Sequence, residues 1–206
     1  MTRIKICGIT NKEDAFKAIK LGAHALGFIF HKKSPRFISP SRAKNIIAVL
    51  PPFVTLTGVF VNERGGAIRD IISFCGLNAI QLHGEENHHD CHRLKRYNTK
   101  IIKAFRVNDT FDFAQTEKYD VDAMLFDTYQ ESVQGGTGKV FNWELLKKAK
   151  VRGAVILSGG LNSKNVFNAI QDVRPYGVDV SSGVEASVGV KDHRLLEEFI
   201  RSAQSA

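Results

Sequence analysis

Gly153-Ala-Val-Ile-Leu-Ser-Gly-Gly-Leu161 and Gly177-Val-Asp-Val-Ser-Ser-Gly-Val184 repeat one pattern near the carboxyl end of the chain. In each copy an apolar, strand-like run leads into a glycine-rich turn, and a helical pattern follows. Glycine lets the backbone approach an anion closely and direct several N–H groups at it, while the start of a helix adds partial positive charge. This pattern predicts a phosphate site. The residues expected to bind the phosphate there are Gly159, Gly160, Ser182 and Gly183.

The same alternation of strand and helix extends from these segments back to the amino end of the chain. Strand-like starts lie near Arg3, Ala25, Val54, Ala79, Lys100, Ala123, Gly153 and Gly177. Their apolar, β-branched runs are typical of parallel strands that are covered on both faces. An open doubly wound sheet would need fewer strands and would leave a long edge. The sequence therefore predicts an α/β fold, a closed (β/α)8 TIM barrel, as a single domain over residues 1–206.

Local signals predict where several helices begin and end. Thr10 and Glu13 have the spacing of a capping box, and Ser39 precedes Pro40 as a cap precedes a proline at the first helical position. Pro51 is expected to end the second helix, because proline cannot continue it.

Composition narrows the possible partners and the compartment. The 206 residues are 43% hydrophobic and carry a formal charge of +8, but the lysines lie along predicted helices without interleaved aromatic residues. This pattern favours solvated helix faces over nucleic-acid binding. The amino end lacks the apolar core of a signal peptide, and no apolar stretch is long enough to span a membrane. With three unpatterned cysteines, we expect a cytoplasmic protein that binds neither nucleic acid nor membrane.

Two reactive side chains end predicted strands, and they are the candidates for catalysis. Cys7 ends the first strand, and Asp127 ends the sixth after a run of apolar residues. In a barrel the carboxyl ends of all strands face one cavity, where such enzymes place their active sites. A buried structural cysteine and a loop-capping aspartate remain the alternative interpretations.

Three further segments invite a functional interpretation. Arg36 follows the second strand, where its guanidinium can pair with a carboxylate, although loop arginines are often only solvated. His83 lies at a strand end that faces the cavity. The following stretch to His92 can place histidines and Cys91 on one helical face. It lies beyond the strand end and no further ligand set appears elsewhere in the sequence, which favours a polar outer helix over a metal site.

A glycine-rich segment, Gln134-Gly-Gly-Thr-Gly-Lys139, superficially resembles a nucleotide-binding P-loop. Val133 stands where the first glycine of that motif is required, and Val140 stands where a serine or threonine should follow the lysine. A glycine-hinged loop that closes over the substrate fits the sequence better, and Gly136 within it is a further candidate for phosphate binding.

Together these residues resemble the phosphoribosylanthranilate isomerase family, whose members are (β/α)8 barrels of tryptophan biosynthesis. The resemblance covers nearly the whole chain and lies in the order and spacing of many short motifs. They are Lys5–Thr10, Gly27–Phe30, Ser34–Arg36, Gly58–Phe60, Gln81–Gly84, Asp127, Gly135–Gly138, Ser158–Leu161, Val178–Glu185 and Gly189–Asp192.

The resemblance implies an Amadori rearrangement of an aminofuranose phosphate without metal or organic cofactor. It implies that Cys7 is the general base, that Asp127 is the general acid, and that Arg36 contacts the anthranilate carboxylate. His83 and Asp179 are expected to contact the substrate, Asp179 through sugar hydroxyls, whereas a structural role remains open for Lys5. The implied partner is a small phosphorylated substrate, and the sequence does not distinguish a monomer from a homodimer.

Other functions remain open on the sequence alone. An indole-glycerol-phosphate synthase would have lysine and glutamate at its strand ends, and a sugar-phosphate isomerase of histidine synthesis would have aspartate in place of Cys7. A binding module for metal or nucleic acid would use the histidine-rich helix or the basic helix faces.

Overall fold

The computed structural model describes residues 1–127, 146, 151 and 153–206. Eight parallel strands form a closed barrel, because β1 pairs with both β2 and β8. The strands are β1 (Arg3–Cys7), β2 (Ala25–Ile29), β3 (Thr55–Phe60), β4 (Ala79–Leu82), β5 (Lys100–Arg106), β6 (Ala123–Asp127), β7 (Ala154–Ser158) and β8 (Gly177–Val180). This confirms the predicted barrel, and every strand begins within one residue of its predicted start.

Helices surround the barrel and connect its strands. In the described residues they are α1 (Lys12–Leu21), α2 (Pro40–Ile47), α3 (Gly65–Cys75), α4 (His88–Leu94), α5 (Val166–Val173) and α6 (His193–Gln204). Short 3-10 helices cover Lys95–Tyr97, Phe113–Lys118 and Ser182–Val184, so the β5–β6 connection is a 3-10 helix where the repeat predicted an α-helix. After β8 the chain forms a small hairpin, β9 (Glu185–Ser187) and β10 (Val190–Lys191), which the sequence did not predict.

The predicted helix ends agree with the structure in part. Ser39 caps α2 by accepting a hydrogen bond from the Arg42 amide, with Pro40 at the first position, as predicted. The predicted capping box at Thr10 is wrong, because the helix is capped one residue later. Thr10 Oγ1 instead donates to the Gly189 carbonyl, and Asn11 caps α1. The second helix ends at Ile47, four residues before the predicted stop at Pro51.

Apolar side chains form two layers on the two sides of the sheet. The larger layer lies between the strands and the helices and includes Phe28, Phe60, Phe126 and Phe199. The smaller layer fills the barrel interior with Ala79, Ile102, Ala104, Ala123, Leu125 and Ile156. Because side chains alternate along a strand, the next positions on the inner side lie above this small core, toward the carboxyl ends of the strands. Gln81, Asp127 and Ser158 occupy three of them.

In the part of the chain that the structure describes, no helix combines the length and apolar character needed to cross a lipid bilayer.

Candidate active site

Strand register brings four polar residues into one row across neighbouring strands. Asp127 on β6 is in register with Ser158 on β7, and Asp179 on β8 is in register with Lys5 on β1. Ser158 and Asp179 complete the row, since the Ser158 hydroxyl donates to Asp179 Oδ2 at 3.5 Å. Cys7 lies two residues beyond Lys5 on β1 and therefore projects to the same side. The barrel thus brings both predicted catalytic residues to one end.

Cys7 is a buried thiol beside a buried ion pair. Lys5 Nζ donates to Asp179 Oδ1 at 2.8 Å, and both side chains are about one-twentieth exposed, at 5% and 6%. Gly27 on β2 provides the space for them. A methyl group at Gly27 would lie 2.7 Å from Cys7 Sγ and 3.1 Å from Lys5 Nζ, so both atoms border one point on the backbone.

The charges around Cys7 act on its thiol in opposite directions. Burial raises the pKa of Cys7 above its ordinary value, because the thiolate loses water. The positive charge of the Lys5 ammonium opposes this rise, Lys191 opposes it more weakly, and Asp179 adds to it. Burial alone would lower the pKa of Lys5, but the negative charges of Asp179 and Cys7 outweigh it and raise that pKa.

Arg36 is held beside the first strand by an acidic residue of the small hairpin. Its Nε donates to Glu185 Oε1 at 2.8 Å and its Nη2 donates to Glu185 Oε2 at 2.6 Å. Lys191 Nζ also donates to Glu185 Oε1, at 3.0 Å. Burial alone would raise the pKa of Glu185, but Arg36 and Lys191 outweigh it and lower that pKa. No hydrogen bond within the described residues uses Arg36 Nη1, which leaves the end of the guanidinium for a ligand.

Asp127 lies at the end of a hydrogen-bonded chain across the barrel mouth. Its Oδ2 is 3.1 Å from His83 Nε2, and His83 Nδ1 is 3.0 Å from Gln81 Nε2. About a quarter of the Asp127 and His83 side chains is exposed, at 23% and 22%. Gln81 Oε1 is buried without a hydrogen-bond partner among the described residues. If the Gln81 amide is turned over, this oxygen accepts a hydrogen bond from His83 Nδ1, and His83 Nε2 can then accept a hydrogen bond from a protonated Asp127 carboxyl.

Asp179 has protein partners on both carboxylate oxygens, namely Lys5 and Ser158. It lies within β8, in the row described above. Its predicted contact with sugar hydroxyls stays a prediction. Through its contact with Lys5, Asp179 can also affect the charge around Cys7.

The two glycine-rich turns pack directly against each other. A Cβ on Gly183 would lie 1.9 Å from the Leu161 carbonyl oxygen, so only glycine fits at this crossing of the β7 and β8 loops. Gly159 and Gly160 have φ of 84° and 65°, and Ser182 begins a 3-10 turn. The predicted phosphate-binding residues therefore lie in adjoining loops, except Gly136, which lies outside the described residues.

The histidine-rich helix contributes little to this site. In α4, Cys91 is fully buried whereas His92 is exposed, so the two candidate ligands face different surroundings. Among the described residues, no group of three or more His, Cys, Asp and Glu side chains is arranged to hold a metal ion.

The sequence interpretation missed the residues that hold the site residues in place. Gln81 contacts His83, Glu185 contacts Arg36, and Lys191 contacts Glu185, yet none of the three supporting residues was assigned a role. Glu185 and Lys191 follow the eighth strand within the motifs given in the sequence analysis, and their opposite charges so close to the predicted phosphate turn were the available signal.

Comparison with known proteins gives one consistent result. A model of the N-(5′-phosphoribosyl)anthranilate (PRA) isomerase family matches residues 4–202 of the chain. The N-(5′-phosphoribosyl)anthranilate isomerases of Pelobacter propionicus and Geotalea uraniireducens are 47% and 48% identical to it over 204 residues. The aligned residues cover 99% of this chain and 96% and 99% of those two proteins.

Solved structures of high similarity belong to the same family. The phosphoribosyl anthranilate isomerase of Thermotoga maritima has a TM-score of 0.90 and 45% identity, with both chains covered completely. A phosphoribosyl anthranilate isomerase in complex with reduced 1-(o-carboxyphenylamino)-1-deoxyribulose 5-phosphate has a TM-score of 0.85 and 42% identity, again over the whole of both chains. Monomers generated from the dimeric Thermotoga maritima protein match with a TM-score of 0.84 and 41% identity.

Proposed function

Because this chain belongs to the N-(5′-phosphoribosyl)anthranilate isomerase family, we propose that it isomerises N-(5-phosphoribosyl)anthranilate to 1-(2-carboxyphenylamino)-1-deoxyribulose 5-phosphate in tryptophan biosynthesis. The observation that carries the proposal is the match over nearly the full length of the chain. The placement of Cys7 and Asp127 at the carboxyl ends of β1 and β6 supports it, because the active sites of such barrels lie there.

In the first step Asp127 acts as the general acid. It donates its proton to the oxygen of the furanose ring as the bond from C1 to that oxygen breaks, and an iminium ion forms between C1 and the anthranilate nitrogen. The acid form of Asp127 is compatible with the Gln81–His83 arrangement in which His83 Nε2 accepts. Partial exposure of Asp127 leaves the carboxyl accessible to the substrate.

In the second step Cys7 acts as the general base. The iminium ion withdraws electrons from C2, so the Cys7 thiolate can remove the C2 proton and give an enolamine. The enolamine then gains a proton at C1 and loses one from the C2 hydroxyl to give the aminoketone product. Cys7 ends as the thiol and Asp127 as the carboxylate, and transfer of one proton between them restores the starting state. The substrate's own nitrogen provides the electron sink, so this chemistry requires no metal or organic cofactor.

Two groups of residues hold the charged ends of the substrate. The Nη1 end of Arg36 can pair with the anthranilate carboxylate while its other edge stays on Glu185. The adjoining turns at Gly160 and Gly183 direct backbone N–H groups toward the phosphate. Ser181 Oγ, which is buried and has no hydrogen-bond partner among the described residues, lies beside these turns as a further donor.

The proposed setting is the cytoplasm, as a monomer or a homodimer with a small phosphorylated substrate. All three cysteines are free, which is compatible with a reducing compartment. A monomer and a homodimer are both compatible with the site residues named above.

Conversion of freshly prepared phosphoribosylanthranilate, followed chromatographically in the presence of a metal chelator, tests this function. Cys7→Ala and Asp127→Asn should each lower kcat by about 10²- to 10⁴-fold, because each removes one proton-transfer group. Cys75→Ala is the matched control, since Cys75 is also buried but lies at the end of α3. Absence of product with the wild-type protein would refute the activity, and wild-type rates in both variants would refute the assigned roles.

A further inference from the structure

Lys5 is a buried cation that the proposed steps do not use. It pairs with Asp179 at 2.8 Å, and both side chains are almost fully buried. A buried ion pair contributes little net stability compared with apolar residues of similar size, because both charges lose their water. Its position within the site therefore calls for a functional explanation.

The surroundings of Lys5 direct its charge at Cys7. The two side chains project to the same side of β1. Because Gly27 has no side chain, Lys5 Nζ and Cys7 Sγ can both lie against the same point of the β2 backbone. Any larger residue at Gly27 would press on the sulfur first, at 2.7 Å. Asp179 approaches from β8 and holds the ammonium by its hydrogen bond.

We propose that Lys5 and Asp179 are positioning residues that set how readily Cys7 forms its thiolate, Lys5 by stabilising the anion and Asp179 by fixing and partly neutralising Lys5. This inference rests on the proposed function insofar as Cys7 is the base of the reaction. It also assigns to Asp179 a role that does not require contact with the substrate.

Other charged groups face Cys7 from neighbouring elements, and a single carboxylate neutralises part of their charge. Arg36 from the β2 loop and Lys191 from β10 are both paired with Glu185. Lys5 is the cation whose charge most strongly opposes the effect of burial on the pKa of Cys7. Substitution of Lys5 or of Asp179 should therefore shift the pKa of Cys7, and the two substitutions should shift it in opposite directions.

The net charge of the three buried groups gives opposite expectations for two substitutions. In the wild type, loss of the Cys7 proton takes Lys5, Asp179 and Cys7 from neutral to singly negative. With Lys5→Met the same step goes from singly to doubly negative, so the pKa of Cys7 should rise further. With Asp179→Asn it goes from singly positive to neutral, so the pKa of Cys7 should fall. An ion pair that serves only stability predicts no such opposition.

The test is an ultraviolet titration of the thiolate, which requires no substrate. Wild type, Lys5→Met and Asp179→Asn are each titrated against the same protein carrying Cys7→Ala, so that the difference reports Cys7 alone. We expect the Cys7 titration to move to higher pH in Lys5→Met and to lower pH in Asp179→Asn. Shifts in the same direction, or no shift in either variant, would overturn the proposal.

Two further measurements keep the outcome decisive. If Lys5→Met fails to fold, Asp179→Asn alone decides, because only an electrostatic role moves its Cys7 titration downward. If Lys5→Met folds, its kcat/KM at pH 7 should fall about 10-fold or more, since an opposite charge nearby shifts a pKa by one unit or more. Failure of the proposed function would appear separately, as absence of product with the wild-type protein, and full activity of Cys7→Ala would show that Cys7 is not the base, whatever the titrations show.

Discussion

At the scale of a single residue, the planar guanidinium of Arg36 can pair with Glu185 and with a ligand at the same time. Its Nε edge is fixed on Glu185, whose second cationic partner is Lys191, and its Nη1 end faces away from that pair. A guanidinium can hold two carboxylates in this way because its five N–H groups lie in one plane, whereas a lysine ammonium offers no second parallel pair. Glu185 therefore orients the residue that we propose to bind the substrate carboxylate.

Substitution of Arg36 tests that recognition. Arg36→Ala should raise KM about 10-fold or more, because a hydrogen-bonded charge pair to the substrate is lost, and kcat should change much less. Arg36→Lys should also raise KM, since it keeps the charge but loses the planar pair of donors. Steady-state kinetics measure both. Arg69→Ala, on the exposed surface of α3, is the matched control, and an unchanged KM in Arg36→Ala would contradict the carboxylate role.

At the same scale, the sequence indicated the candidate catalytic residues better than the residues that hold the site in place. Cys7 and Asp127 stood out because each ends an apolar run, and the structure places both at the barrel mouth. The contacts of Lys5 and Glu185 were not predictable in this way. They join residues 174 and 149 positions apart, and strand register and loop path decide such contacts rather than local pattern.

At the scale of elements, predictability follows the strength of the local pattern. The eight barrel strands are apolar and regularly spaced, and their starts were predicted within one residue. Strands β9 and β10 have three and two residues, too few to show any alternation. Thr10 was displaced as a cap by its contact with Gly189, a tertiary interaction that no helix-start rule contains.

Two glycine substitutions separate the roles of loop and helix. Gly183→Ala should weaken substrate binding strongly, because the new Cβ would lie 1.9 Å from the Leu161 carbonyl and must push the β7 and β8 loops apart. Gly66→Ala is the control. Its Cβ would meet no atom within 4 Å, and alanine is the better residue in α3, so the free energy of unfolding should rise by about 0.4–1 kcal/mol.

Urea unfolding and KM measurements on both glycine variants give the comparison. An increase in KM is expected for Gly183→Ala alone, with unchanged kinetics in Gly66→Ala. Equal KM values for Gly183→Ala and wild type would show that the two loops need not touch for phosphate binding.

At the scale of the whole molecule, the site depends on closure of the barrel. β1 pairs with β8, and this pairing brings Lys5 against Asp179 and Cys7 near the glycine-rich turns proposed to bind the phosphate. Arg36 from the second βα unit reaches Glu185 from the last hairpin. The proposed substrate contacts thus come from both ends of the chain, so a ligand that bridges them should stabilise the entire barrel rather than one loop.

Ligand-linked unfolding measures that coupling. Reduced 1-(o-carboxyphenylamino)-1-deoxyribulose 5-phosphate, the compound bound in a related structure, should raise the free energy of unfolding by about 2.7 kcal/mol at 100 times its Kd. Cys7→Ala should keep this gain, because Cys7 acts on a proton rather than on binding, whereas Gly183→Ala should lose most of it at the same ligand concentration. Thermal and urea unfolding with and without the ligand provide the values. If the ligand left the Tm of the wild type unchanged, the two ends of the chain would not share one binding site. If Gly183→Ala gained as much stability as the wild type, the β7 and β8 loops would not bind the phosphate.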